Sequence, residues 1–387
     1  VMRAVHAYKI YRPDIRGGIP HVVAALGGIE GIERLVLVAR RFGLRRRFRD
    51  GADEVDAVSS LGTLFSTPLA PAYPFALARQ ARRADLVVHH APFPLVDIGI
   101  LLGLRPSTAL VVHWHAEIVG KPLLAQLVAP LVRHTLERAD RIVVSDRIIA
   151  ERSSMLAPHV AKCVAVPYGC DVDYWRNLDA AGHEAVQRIK LRSPNLIVAV
   201  GRLVGYKGFD VLVRAMQFVD GEAVIIGEGP LLGSLKALAH ELGLASKLTF
   251  AGGLPRNEVR TYLHAASAFA FPSVTDAEAF GIAQIEAMAA GLPVVNTALA
   301  TAVPRIARHG REALTVAPGD PSALAAALRT LLENGEFARQ LGSAGYQRAR
   351  AEFDHGIFVE RVAAIYRQEV KRRNAAVTAL RAELRSP

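Results

Sequence analysis

Short apolar runs alternate with longer stretches of helical periodicity along the whole chain. "MRAVHAYKI" reads as an opening strand, and "LVLVAR", "DLVVHH", "ALVVHW" and "RIVVSD" follow, β-rich and mostly unbroken by polar positions. A half-exposed strand alternates apolar and polar residues, so unbroken runs of this length predict parallel strands buried on both faces. A second series comes later: "LIVAVG", "AVIIG", "KLTFAGG", "AFAFPS" and "PVVNT", each leading into a helix-compatible segment. Two successive βαβ series predict an α/β protein of two doubly wound, Rossmann-like domains. Their boundary is expected in residues 170–194, where Gly, Asp and Pro accompany a helical segment with little strand signal. The tail "GIFVERVAAIYRQEVKRRNAAVTALRAEL" predicts one or two amphipathic helices.

Composition narrows the class. A chain of 387 residues, 51% hydrophobic and 21% charged, can build two substantial cores and is too apolar for extensive disorder. The longest apolar candidate for a membrane span, "PLLAQLVAPLV", contains Pro130 and ends at Arg133, short of the roughly 20 residues a spanning helix needs. With no export signal, two cysteines (Cys163 and Cys170) and no metal-ligand spacing, the expectation is a cytoplasmic protein without structural disulfides or a metal centre. The net charge of +11 has a local concentration in "ARRFGLRRRFRD", where Arg40, Arg41, Arg45, Arg46, Arg47 and Arg49 interleave with Phe42, Leu44 and Phe48. That pattern suits an anionic membrane surface, which would make the protein peripheral on the inner face of the membrane; it equally suits a solvated loop after a strand. No nucleic-acid-binding module accompanies the charge, so nucleic acid is not an expected partner.

Chemistry concentrates in two motifs. In "GRLVGYKGFD", Arg202 and Lys207 occupy a Gly-rich turn straight after an apolar run. In "DAEAFGIAQIEAM", Glu278 and Glu286 lie eight positions apart around a helix start. A guanidinium fork and an ammonium suit diphosphate oxygens, and a carboxylate suits a diol. Gly281 after Phe280 permits close backbone approach, and a helix beginning near Ile282 offers free N–H groups. Glu278 and Glu286 can point the same way only if Glu278 lies at or before that helix start. Gly17 and Gly18 of "GGIP" also precede a helix, where the backbone can approach a phosphate, and Pro20 is tolerated in a first helical turn. In "VVHWHAEIV", His113 and His115 alternate to the same side of a strand end, so either can be the functional imidazole and the other a packed one. Lys121 follows closely as a further cation, and Asp171 and Asp173 form the single Asp-x-Asp pair, read as structural.

These motifs, with "HWHAEIVGK", "VPYGCDVDYW", "IIGEGP", "EAFGIAQIEAMAAGLPVVNT" and "LTVAPGD" in the same order, resemble the retaining glycosyltransferases of GT-B fold. That is the large family 4-like group of bacterial mannosyl- and glucosyltransferases, and the resemblance covers almost the whole chain. The N-terminal pieces are similar to transferases of O-antigen and exopolysaccharide assembly. The resemblance implies two Rossmann-like domains facing across a cleft: residues 1–170 on the acceptor side, completed by a C-terminal helix at about 366–387, and residues 171–365 binding the nucleotide-sugar. It implies that Arg202 and Lys207 hold the diphosphate in place of a metal and that Glu278 meets the transferred sugar. Glu286 would meet the ribose, His115 the donor sugar, and the backbone from Leu254 to Arg256 the base. The implied donor is a nucleoside-diphosphate sugar, GDP-mannose first, with no cofactor; the implied acceptor is a surface glycan or a lipid-linked glycan. Two other readings stand beside it: a catalytically silent nucleotide-sugar-binding partner in a glycan assembly complex, and a GT-B epimerase. The chain departs from the family pattern at Pro20, where Glu is frequent, and at Ala302 and Ala313, where Gly is frequent.

Overall fold

The computed structural model describes residues 1–14, 18–64, 67–116 and 122–383. The chain divides into two compact units, Val1–Pro167 together with Phe358–Pro387, and Tyr168–Ile357. The sequence placed these junctions at 170 and 366. The return to the first unit comes earlier because Phe358, Val362, Ala363 and Tyr366, on one face of the long helix His355–Glu383, are all buried.

The first unit is built on strands β1 (Met2–Ala7), β2 (Ile32–Ala39), β3 (Arg46–Asp50), β4 (Asp53–Val58), β5 (Thr63–Leu64), β6 (Thr67–Pro68), β7 (Leu86–Ala91), β8 (Ala109–Trp114), β9 (Arg141–Val144) and β10 (Cys163–Ala165). Its main sheet runs β10-β9-β8-β7-β1-β2-β4-β3, while β5 and β6 form a separate hairpin. Within the main sheet only β3 is antiparallel to its neighbour. The apolar runs read as strands are β2, β7, β8 and β9. Strands β3 and β4 carry too much charge to read as such. Asp53 and Asp56 of β4 are nonetheless buried, because Arg34 pairs with Asp53, and Arg45 and Arg47 pair with Asp56. Arg46–Asp50 of the arginine-rich segment is therefore an edge strand held by β4, where the solvated-loop reading, one of the two, has no strand.

The second unit carries β11 (Leu196–Val200), β12 (Glu222–Ile226), β13 (Leu248–Gly252), β14 (Ala268–Ala270), β15 (Val294–Thr297) and β16 (Ala313–Val316). Its order is β13-β12-β11-β14-β15-β16, parallel throughout. Counted from β11 this is 3-2-1-4-5-6, the doubly wound arrangement whose crevice opens at the carboxyl ends of the first and fourth strands. Ala302 has right-handed helical angles and Ala313 opens β16, so neither position needs glycine's conformational freedom. Both are fully buried.

The turn after β11 ends at Gly208, whose φ of +64° lies in the left-handed region. A Cβ there would also stand 2.0 Å from the Pro272 carbonyl oxygen. Gly208→Ala therefore combines dihedral strain with a backbone clash and should cost about 3 kcal/mol or more, lowering the thermal midpoint by several degrees. Gly205→Ala, three residues away with nothing within 4 Å of its Cβ, should change stability by less than about 0.5 kcal/mol. Equal melting curves for the two variants would show that the close approach is not needed.

Candidate active site

In the second unit the chain leaves β11 through Gly201 and Arg202, makes a single 3-10 turn over Gly205–Lys207, and enters the helix Phe209–Ala215. On the adjacent strand, β14 runs out through Phe271, Pro272 and Ser273 toward Glu278. The two segments meet at the crevice between β11 and β14. Lys207 Nζ lies 2.5 Å from Glu278 Oε2, and Ser273 Oγ donates to the same oxygen at 3.0 Å. The ammonium also sits 5.1 Å from the Phe271 ring centroid. Glu278 is only 7% exposed, so its charge is held in place by Lys207 and Ser273 instead of by bulk water. Arg202 is exposed and its guanidinium has no partner among the described residues.

Glu278 lies four residues before the helix Ile282–Ala290, as its spacing from Glu286 requires. Gly281 caps that helix at φ +88°, and no side chain caps the first-turn N–H groups. A Cβ on Gly281 would meet Phe271 at 2.7 Å, so the helix start is seated directly on the aromatic floor beside Lys207. Behind it, Asn296 Nδ2 donates to Gln284 Oε1 (2.9 Å) and to the Ala307 carbonyl (2.9 Å), while Asn296 Oδ1 accepts from Thr315 Oγ1 (2.7 Å). Thr297 Oγ1 donates to the Ser273 carbonyl at 2.6 Å. This buried network fixes the angle at which the helix and Ser273 are presented. Sequence reading missed Ser273, Gln284, Asn296 and Thr297. The serine directly after "AFAFP" was the available signal, a hydroxyl at the end of a strand next to the crevice.

Glu286 is half-buried on the same helix. Burial, opposed by the nearby Arg256, pushes its carboxyl up from the usual 4.5 to about 7. Phe280, between the two glutamates, is buried with its ring edge-on to Tyr168. Leu254 is half-buried after β13, and Arg256 opens the helix Arg256–Ala265 with its guanidinium 4.4 Å from the Tyr174 ring centroid and 4.9 Å from that of Trp175. Asp171 caps the helix Val172–Arg176, and Asp173 is paired with Arg350.

In the first unit His115 follows β8 directly and is buried, as are His113 and His90. His113 Nε2 is 2.8 Å from the Tyr366 hydroxyl, and His90 Nδ1 is 2.9 Å from His115 Nε2. Both β8 histidines thus face one side, with His113 packed against the long helix. Gly18 is exposed and opens the helix Gly18–Ala25; Pro20 is buried in its first turn. Gly17 and Lys121 lie outside the described residues.

Residues 16–169 match the family model described as a glycosyl transferase 4-like domain, and residues 184–348 match that of glycosyl transferases group 1. The D-rhamnosyltransferase WbpZ of Pseudomonas aeruginosa is 31% identical over 361 residues, covering 91% of this chain and 92% of the relative. The O-antigen chain mannosyltransferase C of Escherichia coli is 30% identical over 366 residues, covering 92% and 96%. Among solved structures, Anabaena HepE in complex with UDP superposes with a TM-score of 0.75 at 18% identity, over 94% of this chain and 99% of that one. That likeness is one of fold.

A carboxyl whose pKa rises on folding favours the folded state below its unfolded value, and the contribution disappears as pH climbs through the folded value. Glu286 should therefore cost the wild type stability progressively between pH 4.5 and about 7. Glu286→Gln should equal the wild type near pH 4.5 and exceed it by roughly 1–3 kcal/mol at pH 8, read by denaturant titration at the two pH values. A difference independent of pH would mean that the Glu286 carboxyl does not change its pKa on folding.

Proposed function

The chain belongs to the group 1 glycosyltransferases with a glycosyl transferase 4-like amino-terminal domain, of GT-B fold, and we propose that it is a retaining hexosyltransferase working without a metal. The observation that carries this reading is the Lys207–Glu278 pair at the β11/β14 crevice, with Arg202 on the segment that leads from β11 into that turn. Lys207 has three N–H donors and spends one on Glu278, leaving two for the oxygens of a leaving diphosphate. Arg202 adds a planar fork for the same group. Together they would neutralise the charge that develops on the diphosphate as the glycosidic bond breaks, the task a bound cation performs elsewhere. Glu278, oriented by Ser273, would accept hydrogen bonds from hydroxyls of the transferred sugar, and the uncapped N–H groups at Ile282 would face negative charge. Glu286 would take the ribose diol once ionised, the backbone from Leu254 to Arg256 the base, and Gly17 and Gly18 would leave room for the donor. His115, kept neutral by burial, would serve as a hydrogen-bond partner for the donor sugar.

The proposed donor is GDP-mannose, because one of the full-length relatives is an O-antigen mannosyltransferase. The proposed acceptor is a hydroxyl of a bacterial surface glycan, carried on a lipid. A lipid-borne acceptor suits a further feature of the first unit. Phe42, Leu44 and Leu61 are 70%, 84% and 75% exposed, and the loops carrying them are tied together by paired backbone hydrogen bonds between Gly43 and Ser60. Arg41 directly precedes Phe42, and its guanidinium has no partner among the described residues. Exposed apolar tips next to Arg41 fit an anionic bilayer surface, and no described helix is long and apolar enough to cross one.

A nucleotide at 100 times its dissociation constant adds about 2.7 kcal/mol, so GDP should raise the melting temperature by several degrees where UDP and ADP do so less. Lys207→Ala should abolish that shift, and Glu278→Gln should keep it while slowing mannose transfer roughly a hundredfold. A shift with UDP alone would replace the donor. A shift without transfer to any lipid-linked acceptor would favour the silent nucleotide-sugar binder. The membrane reading has its own test, flotation with phosphatidylglycerol vesicles, in which Phe42→Ser with Leu44→Ser should cut binding at least tenfold and leave nucleotide binding unchanged. Equal flotation of the variant would sink it.

A further inference from the structure

Four histidines lie on one face of the first unit's sheet, and the register explains why. His90 of β7 is the direct neighbour of His113 in β8, His6 of β1 is the neighbour of Val88, two residues before His90, and His115 is two residues beyond His113. Residues two apart on a strand share a face. All four rings are buried, between 0% and 5% exposed, with His115 the most accessible. Three of them form a chain of direct nitrogen-to-nitrogen hydrogen bonds. His6 Nδ1 is 3.1 Å from His90 Nε2, and His90 Nδ1 is 2.9 Å from His115 Nε2. The His90 and His115 rings are stacked, with centroids 5.2 Å apart and planes within 4°.

A neutral imidazole has one N–H and one lone pair, so each link needs a proton on one side and none on the other. Two arrangements satisfy both links. Either all three rings carry the proton on Nδ1, or all three carry it on Nε2; any mixture sets two protons or two lone pairs against each other. His6 Nε2, at the far end, is buried and has no partner among the described residues. A proton there would be a buried donor without an acceptor, at a cost of about 1–3 kcal/mol.

We propose that His6 and His90 are positioning residues for His115: the three rings share the Nδ1–H tautomer, so that His115 accepts from His90 through Nε2 and keeps its own proton on Nδ1. The proposal rests on the reading of His115 as a hydrogen-bond partner for the donor sugar, since that reading gives the fixed tautomer a use. Burial holds all three rings well below the usual histidine pKa, so the chain stays neutral and does not break by protonation at ordinary pH. Nitrogens of His90, His113 and His115 lie within 4.8 Å of one another, close enough to suggest a cation site. Both nitrogens of His90, Nε2 of His115 and Nε2 of His113 are already engaged in the links to one another, to His6 and to Tyr366, and no carboxylate is among them to balance a dication's charge.

Histidine-selective nitrogen-15 NMR of the full chain reads the tautomers directly and does not depend on activity. His6, His90 and His115 should each show a protonated Nδ1 and a bare Nε2. A protonated Nε2 on any of the three overturns the proposal. So does stoichiometric zinc retained after dialysis, because a metal would then be holding the nitrogens. His90→Phe removes the donor to His115 and should give a mixed His115 tautomer, with kcat for transfer falling at least tenfold and the donor KM little changed. His90→Asn keeps an N–H near the Nδ1 position and should restore both the tautomer and most of the rate. If His90→Phe melts like the wild type and loses the tautomer without losing rate, the positioning role is refuted. If no transfer is detected with wild type, the tautomer result still stands or falls on its own, separately from the functional reading.

Discussion

The packing of Gly208 against Pro272 is the contact on which the second unit's chemistry depends. A glycine in the left-handed region closes the turn after β11, and the carbonyl after β14 occupies the space any side chain would need. That approach pins the exits of two parallel strands together at the point where the sheet's winding reverses. The same device recurs beside it, where a Cβ on Gly227 would stand 1.9 Å from the Gly201 carbonyl oxygen. Lys207 precedes Gly208 and Ser273 follows Pro272, so backbone proximity brings both side chains within reach of Glu278. Pre-positioning of this kind removes much of the ordering cost that an ammonium and a carboxylate would otherwise incur on meeting a ligand.

The two units place buried polarity differently. The first sets neutral histidine rings on one face of its sheet, uncharged by desolvation, and keeps its buried charges in pairs such as Arg34 with Asp53. The second keeps charge at its crevice, with one ion pair mostly shielded from water and one guanidinium left open. Neutral imidazoles suit hydrogen bonding to hydroxyls, while net positive charge suits phosphate. The division follows from where each set of residues sits in its sheet: the histidines point from strand faces into packed helices, and Arg202 and Lys207 lie in a turn beyond the strand ends.

Much of this was legible in the chain because it rests on local pattern. The apolar runs that became β2, β7, β8 and β9, and those of β11 to β15, declare themselves by the absence of polar positions. Glu278 and Lys207 announced themselves by their setting beside glycines after apolar runs, and the position of Glu278 ahead of a helix followed from spacing alone. What stayed hidden depends on partners far away in sequence. Strand β4 looks too acidic to be buried until Arg34, Arg45 and Arg47 are placed against it. Asn296 and Gln284 look like ordinary strand and helix residues, and their shared hydrogen bond appears only when the fold brings them together. His6 and His90 gave no local sign of their link to His115, since sheet register cannot be read from any one strand. At Ala302 and Ala313 the family pattern suggested glycine, but the backbone there adopts angles that alanine accepts freely.

The long helix His355–Glu383 belongs from Phe358 onward to the first unit although it follows the second in the chain. Tyr366 and Glu369 are buried there, Glu369 is paired with Arg141, and Arg373 with Asp140. Until that segment leaves the ribosome, Arg141 and Asp140 lack these ionic partners and the His113 ring lacks its cover. The intervening residues from Tyr168 to Ile357 form a compact unit by themselves and precede that segment in the chain. Vectorial synthesis ordinarily completes amino-terminal domains first. Here the order of completion is inverted: the half of the protein that emerges first must wait, partly open, while the half that emerges second closes ahead of it.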